Sequence, residues 1–170
     1  QDKARRVRDE PMKLVVGLGN PGRKYEGTRH NVGFEVLAQL VREYGNSPAK
    51  GAFQGEVSEA NVRGHRTLLL APHTLMNLSG TSVLAARDFY KIENVDLLVI
   101  CDDFNLPLGR LRVRAKGSAG GQKGLADIIR RLGREEISRL REGIGEPPAN
   151  WDAACFVLSK FTKQARPEID

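Results

Sequence analysis

Residues 14–33 read LVVGLGNPGRKYEGTRHNVG and combine an apolar run, a glycine-rich turn and a Thr-Arg-His-Asn cluster. An apolar run that stops at Gly-Leu-Gly-Asn-Pro-Gly predicts a parallel strand whose carboxyl end enters a tight turn, the usual ligand crevice of α/β sheets. Asn20 offers an uncharged donor and acceptor there, and His30 can act as a base near neutral pH. The stretch therefore predicts an α/β fold with a functional site at this edge of its sheet.

The overall composition suits one domain. The chain has 170 residues, of which 40% are hydrophobic, enough for one core and too few for two domains of ordinary size. Two cysteines without CxxC spacing argue against a disulfide framework or a zinc site and predict buried thiols in a reducing compartment. The apolar runs fall far short of the roughly 20 residues of a membrane span, so we expect a soluble protein. Residues 1–11 are charged and aperiodic, which predicts a disordered extension before a single domain over residues 12–170.

Strands and helices are expected to alternate along the chain. Helical spacing of apolar residues predicts a helix from about residue 32 to residue 45, which places His30 just before its first turn. Thr74 is expected to cap a second helix, whose apolar face would be formed by Leu75, Leu78, Val83, Ala86, Phe89 and Tyr90. Further strands are expected over residues 53–61, 66–71, 95–101, 110–116 and 139–145, and a further helix over residues 125–132.

A second polar site lies at the end of the apolar strand predicted over residues 95–101, where Asp102 and Asp103 follow. Because the carboxyl ends of parallel strands share one edge, we expect Asn20, His30, Asn77 and Asp102 to converge. A carboxylate bonded to one imidazole nitrogen fixes the tautomer, so that the other nitrogen can take a proton from water. No GxSxG elbow is present, which favours base catalysis without a nucleophilic serine, with asparagine amides holding an ester carbonyl or its oxyanion.

The net charge of +6 is concentrated in residues 110–141, which hold ten Lys or Arg against three acids. Arg110, Arg112, Arg114 and Lys116 alternate with apolar residues and are expected on one face of a strand. A solvated surface would explain this pattern as well as a phosphate-binding surface would. Its continuation into a glycine loop over residues 116–124, predicted to be flexible and rich in backbone donors, favours phosphate binding.

Five motifs carry a resemblance to a known family: VVGLGNPGRKYEGTRHNVGF, PHTLMNLSG, CDDFNLPLG, GSAGGQKGL and RLREGIG. In this order they resemble the bacterial-type peptidyl-tRNA hydrolases over nearly all of residues 12–169. The resemblance implies a single α/β domain with a twisted mixed β-sheet surrounded by helices. It also implies hydrolysis of the ester between a peptide and the 3′-terminal ribose of tRNA, with no metal or cofactor. We expect a monomer in the cytoplasm, with an organellar stroma or matrix as the alternative.

The resemblance also implies roles for matching residues. His30 would be the catalytic base, Asp102 the residue that keeps it basic, and Asn20 the sensor of the peptide portion. Contacts to the terminal adenosine or the adjoining peptide would come from Tyr25, Leu75 and Asn77. Leu75 stands where the family commonly has an aromatic residue, so plain apolar contact would replace stacking.

One departure lies in the glycine loop, where many members have His-Asn and this chain has Gln122-Lys123. Lys123 cannot accept a hydrogen bond, but its charge can bind a phosphate, so we keep it as a substrate contact. For the backbone of the tRNA acceptor stem, whose binding would be sequence-independent and salt-sensitive, the expected contacts are Arg114, Lys116, Arg139 and Arg141.

Two alternatives remain open. The first is a catalytically weak RNA-binding paralogue, such as the organellar splicing factors that share this fold; the altered glycine loop leaves room for it. The second is a nucleotide-binding α/β protein that uses residues 17–22 as a phosphate turn. It is disfavoured because Pro21 removes a backbone donor and neither a GxGxxG nor a GxxxxGK[ST] pattern is present.

Overall fold

The computed structural model describes residues 11–170, so the extension expected over residues 1–11 lies, except for the exposed Pro11, outside the described residues. The strands are β1 (Lys13–Gly17), β2 (Lys50–Ala52), β3 (Gly55–Val62), β4 (His65–Pro72), β5 (Leu97–Asp103), β6 (Leu111–Arg114) and β7 (Ser138–Gly143). The α-helices are α1 (Val32–Tyr44), α2 (Ser79–Tyr90), α3 (Lys123–Leu132), α4 (Ala153–Val157) and α5 (Arg166–Ile169). Short 3₁₀ turns precede α1, α2 and β5.

The described strands form one mixed sheet in the order β2-β3-β4-β1-β5-β7-β6. Strands β4, β1, β5 and β7 are mutually parallel, whereas β2, β3 and β6 extend the sheet by antiparallel pairing. The carboxyl ends of β1 and β5 therefore lie side by side at one edge. This arrangement confirms the expected α/β fold with a mixed sheet and helices.

Alternate residues of the central strands face two helical layers, as the two-residue period of a strand requires. Leu14 and Val16 of β1 are fully buried in the larger core, which includes Val83 of α2 and Ile128 of α3. Val15 instead packs in the cluster that contains α1 residues. Helix α1 thus covers one face of the sheet, and α2 and α3 cover the other.

The start of α1 contacts the sheet through backbone atoms. A Cβ atom added at Gly33 would lie 2.4 Å from the carbonyl oxygen of Leu18 and 2.6 Å from that of Ile100. One added at Gly17 would lie 2.3 Å from the carbonyl oxygen of Gly33. Glycine is therefore required at both positions for the first turn of α1 to sit directly against β1 and β5.

The helix predicted over residues 32–45 is confirmed by α1, and the helix predicted over residues 125–132 lies within α3, which ends at Gly133. The description of the second helix was wrong in its start. A 3₁₀ turn at Met76–Leu78 precedes α2, and Thr74 does not cap it. Of the predicted apolar face, Val83 and Ala86 are buried and Tyr90 packs against the core, whereas Leu75, Leu78 and Phe89 are exposed. The helical spacing of apolar residues does not reveal that the chain enters α2 through a 3₁₀ turn, which is tighter than an α-helical turn.

Other differences lie at strand ends. Strand β5 includes both acids that were expected to follow it. Strand β2 was not predicted, because three residues give too little periodicity. Cys101 is buried, and burial raises the pKa of its thiol to about 12. Cys155 is exposed on α4, so the prediction of a second buried thiol was wrong. Within residues 11–170, no helix has the length and apolar character needed to cross a bilayer.

Candidate active site

His30 and Asp102 form a buried pair at the carboxyl edge of the sheet. His30 lies in the 3₁₀ turn Arg29–Asn31 that leads into α1, and Asp102 lies at the end of β5. The Nδ1 atom of His30 is 2.9 Å from each carboxylate oxygen of Asp102. Because a carboxylate accepts hydrogen bonds, Nδ1 carries the proton and Nε2 is the basic nitrogen. The predicted convergence of these two residues is confirmed.

Asn20 is held by contacts on both its main chain and its side chain. Its carboxamide oxygen accepts a hydrogen bond from the backbone N–H of Met76 at 2.9 Å. Its backbone N–H donates to Oδ1 of Asn31 at 2.8 Å, and its carbonyl oxygen accepts from Nδ2 of Asn31 at 2.9 Å. Because the carboxamide oxygen of Asn20 faces Met76, the amide nitrogen points away from Met76 and can serve as a donor to a ligand.

Asn31 was missed as a site residue by sequence reasoning. It closes the glycine-rich turn onto the 3₁₀ turn through the two hydrogen bonds to the main chain of Asn20. Its place directly after His30, in a buried turn, is the signal that would have found it, because a buried asparagine needs partners for both halves of its amide.

Gln122 was considered only as a departure from the family pattern, and its contact with the acid was missed. It is 4% exposed, and its amide nitrogen donates to Oδ1 of Asp102 at 3.0 Å. Asp102 itself is 1% exposed. Its carboxylate is therefore shared between His30 and Gln122.

These residues open into a cleft of about 320 Å³. Every residue predicted for catalysis or for the 3′ end of the substrate lines it, namely Asn20, Tyr25, His30, Leu75, Asn77, Asp102 and Lys123. One wall was not predicted, since it comes from α4 and the residue after it: Ala153, Ala154, Val157 and Leu158. In residues 11–170, no three His, Cys, Asp or Glu side chains are grouped so that they could hold a metal ion.

Arg29 connects this wall to the turn that carries His30. Its guanidinium donates to Oγ of Ser159 at 2.6 Å and to the carbonyl oxygen of Lys160 at 2.7 Å, just past α4. The guanidinium carbon also lies 4.3 Å from the ring centroid of Phe156. Burial lowers the pKa of Arg29. The residue next to His30 thus ties the α4 wall to the 3₁₀ turn.

The predicted tRNA-backbone residues fall into two groups. Arg114 and Lys116 are exposed, as a phosphate contact requires. Arg139 is 1% exposed and donates to four backbone carbonyl oxygens, those of Glu135, Ile137, Gly117 and Ser118. The prediction that Arg139 contacts phosphates was therefore wrong: its donors are used inside the protein.

Arg141 lies between these cases. It is 7% exposed, and its Nη2 atom donates to the carbonyl oxygen of Ser118 at 2.9 Å. Its Nη1 atom is 3.8 Å from a carboxylate oxygen of Asp103. Together with Arg139 it holds the glycine loop that was predicted to be flexible. A phosphate contact by Arg141 stays a prediction.

Comparison with known proteins gives consistent results. The family model described as peptidyl-tRNA hydrolase matches residues 14–170. A peptidyl-tRNA hydrolase of Rhodopirellula baltica is 57% identical over 159 residues, which cover 94% of this chain and 84% of that protein. One of Chlorobium phaeobacteroides is 50% identical, with coverage of 94% and 84%. The crystal structure of the peptidyl-tRNA hydrolase of Acinetobacter baumannii superposes with a TM-score of 0.87 at 38% identity, covering 93% of this chain and 81% of that one.

Proposed function

This chain belongs to the peptidyl-tRNA hydrolase family, and from that premise we propose that His30 activates the water that cleaves the ester of peptidyl-tRNA. Membership makes the protein an enzyme of translation that acts on peptidyl-tRNA. The observation that carries the proposed role of His30 is the contact of its Nδ1 atom with both oxygens of Asp102 at 2.9 Å, inside the cleft.

In the proposed reaction, Nε2 of His30 takes a proton from water while the water oxygen attacks the ester carbonyl carbon. Asp102 stabilises the imidazolium that forms. The tetrahedral oxyanion accepts hydrogen bonds from the amides of Asn20 and Asn77, which line the cleft. The intermediate then expels the 3′-terminal ribose oxygen, which receives the proton from His30. The products are a peptide carboxylic acid, which loses its remaining proton to solvent, and a tRNA with its terminal hydroxyl restored, and no covalent enzyme intermediate forms.

The remaining cleft residues are proposed as substrate contacts. Asn20 is placed to sense the peptide portion, since its amide nitrogen is the half of the side chain that Met76 does not use. Tyr25, Leu75 and Lys123 line the same cleft and would contact the terminal adenosine or the adjoining peptide. Leu75 is 59% exposed, so an apolar surface is available to a base or an apolar side chain.

The acceptor stem is proposed to lie along β6 and the residues just after it, where Arg114 and Lys116 present exposed positive charge. Phosphate contacts of this kind give affinity without sequence preference and weaken as salt rises. A monomer, a cytoplasmic location and a reaction without metal or cofactor complete the proposal.

Replacement of His30 by alanine tests the mechanism. We expect kcat for release of an N-acetylated amino acid from its tRNA to fall by about 10³-fold, because the general base is lost. KM should change by less than about two-fold, since the imidazole acts on water. His65→Ala, an exposed histidine at the start of β4, is the matched control and should keep full activity. Near-normal kcat in His30→Ala would refute the proposed base.

The same assay addresses the RNA-binding paralogue. That alternative predicts tight binding of peptidyl-tRNA with negligible turnover by the unmodified protein. The His30–Asp102 pair favours turnover, because the contact of Asp102 with Nδ1 leaves Nε2 of His30 to take a proton from water in the cleft.

A further inference from the structure

Gln122 is a buried polar residue that the proposed reaction does not use directly. It is the N-cap residue of α3, at the point where the glycine loop meets the helix. Its side chain lies between the first turn of α3 and the carboxylate of Asp102. Both halves of its amide have partners, and these partners demand opposite hydrogen-bonding roles.

The helix sets the orientation of this amide. The carboxamide oxygen of Gln122 accepts a hydrogen bond from the backbone N–H of Leu125 at 2.7 Å, which satisfies one of the free donors of the first turn. Rotating the amide by half a turn would place its NH₂ group against that N–H and its oxygen against the Asp102 carboxylate. Both contacts would then be repulsive, so the amide nitrogen must face Asp102.

The amide in turn sets the orientation of the carboxylate. Nδ1 of His30 is 2.9 Å from both oxygens of Asp102, so this contact alone does not distinguish the two oxygens. The amide nitrogen of Gln122 bonds only Oδ1, at 3.0 Å, and so fixes the plane of the carboxylate. Hydrogen bonds to an ionised acceptor are stronger than neutral ones, which makes this restraint effective.

We infer that Gln122 is a positioning residue for the hydrolytic reaction, holding Asp102 in the plane that directs Nε2 of His30 towards the attacking water. The inference rests on the proposed role of His30. The N-terminus of α3 is the fixed reference: Leu125 orients Gln122, Gln122 orients Asp102, and Asp102 orients His30. Misplacement of a reacting group by about 1 Å can reduce a rate by about 100-fold, so the alignment of this pair affects kcat strongly.

Gln122→Glu separates this role from helix capping. A glutamate has nearly the same volume and still offers an oxygen to the Leu125 N–H, but it turns a carboxylate towards Asp102 where the amide donated. Near pH 8 we expect kcat to fall by about 30-fold or more, with KM within about two-fold of the unmodified enzyme. Gln164→Glu, at an exposed position near the C-terminal end of the described chain, is the matched control and should be unaffected.

The pH profile provides a readout that a capping role would not move. A protonated glutamic acid can donate its O–H to Asp102, whereas a glutamate cannot. The ratio of kcat in Gln122→Glu to kcat in the unmodified enzyme should therefore rise by about five-fold or more from near pH 8 to near pH 6. In Gln122→Met, which has neither donor nor acceptor, kcat should fall by about ten-fold and the ratio should stay flat with pH.

Three results would overturn the inference. One is kcat within about two-fold of normal in Gln122→Met despite a lower melting temperature, which would leave only a cap. Another is a flat pH ratio in Gln122→Glu, and the third is a change confined to KM, which would make Gln122 a substrate contact. Should Gln122→Glu fail to fold, the kcat of Gln122→Met alone decides. Full activity of His30→Ala would instead refute the proposed base, whatever the Gln122 variants do.

Discussion

Strands β6 and β7 carry arginines in facing positions, Arg112 opposite Arg141 and Arg114 opposite Arg139. The β6 arginines are exposed, whereas Arg139 and Arg141 are 1% and 7% exposed and donate to backbone carbonyl oxygens of the glycine loop. Neighbouring positions on one face of the sheet thus divide into two roles. The β7 arginines hold the loop that leads to Gln122, and the β6 arginines are available to an external anion.

The difference arises from position in the sheet. Strand β7 lies between β5 and β6, while β6 is the edge strand. A guanidinium taken out of water is tolerated only where its N–H groups find acceptors, and Arg139 finds four carbonyl oxygens. Charge summed along a sequence does not distinguish such a buried structural cation from one that binds a ligand.

The largest effect that would sharpen this contrast is expected from Arg139→Met. Loss of the guanidinium removes four buried hydrogen bonds to carbonyl oxygens, of which that of Glu135 keeps backbone donors, so the free energy of unfolding should fall by about 3 kcal/mol. Urea denaturation measures this change. Arg134→Met, at an exposed position in the same segment, should cost less than about 0.5 kcal/mol. An Arg139→Met protein of normal stability with weakened tRNA binding would remove the distinction between β6 and β7.

A smaller effect is expected at Glu142, on the opposite face of β7. Burial raises the pKa of its carboxyl to about 7, and the nearby Glu35 adds to this rise, while Arg166 opposes it. In the unfolded chain the Glu142 carboxyl has its ordinary pKa of 4.5 and loses its proton above that pH. In the folded protein it keeps the proton up to about pH 7. The resulting stability is present at low pH and is lost as pH rises towards 7.

Because of this residue, we expect the free energy of unfolding to fall by about 2 kcal/mol as pH rises from 5 to 8. Most of this fall should be absent in Glu142→Gln. Urea titrations at the two pH values provide the measurement. The control is Glu136→Gln, which is exposed and should leave the pH dependence unchanged. If the free energy of unfolding of Glu142→Gln fell by the same amount between the two pH values, the pH dependence would not come from burial of the Glu142 carboxyl.

The smallest effect is expected on β6. Removing Arg112 and Arg114 together should raise KM for an N-acetylated aminoacyl-tRNA by about five- to ten-fold, with kcat nearly unchanged, because phosphate contacts contribute to binding. The slope of log KM against log salt should decrease by about one to two. Hydrolysis of a minimal ester without the tRNA body should be unaffected.

Arg42→Ala combined with Arg66→Ala removes the same charge from exposed positions remote from β6. This control separates a local phosphate contact from a loss of net charge. Equal increases in KM for both double variants, or equal loss on the tRNA and the minimal ester, would contradict the placement of the acceptor stem on β6.

The central part of the site could be predicted from the sequence. Residues that end a buried strand or precede a helix in a parallel α/β fold converge by topology, and this brings His30 to Asp102 across about seventy positions. The same rule places Asn20 at their side. The apolar residues of α1 and α3 recur at helical spacing, which likewise made those helices predictable.

What could not be predicted depends on three-dimensional neighbours. The alternation of Arg112 and Arg114 looks like that of Arg139 and Arg141, and only the strand order shows which pair is covered. The contact of Gln122 with Asp102 requires the path of the glycine loop, which the arginines of β7 define. The α4 wall of the cleft follows an irregular segment with no periodic signal.

The close approach of Gly33 to the carbonyl oxygens of Leu18 and Ile100 has a consequence for how such a protein can change over generations. The separation between His30 and Asp102 is set largely where the main chain of α1 rests on the main chain of β1 and β5, with no side chain between them. Any side chain at Gly33 would push the first turn of α1 away from β1 and β5, whereas exchanges among the aliphatic residues around it act on that separation only indirectly. Change over generations is therefore tolerated unequally, with little freedom at Gly33 and more at the aliphatic positions that surround it.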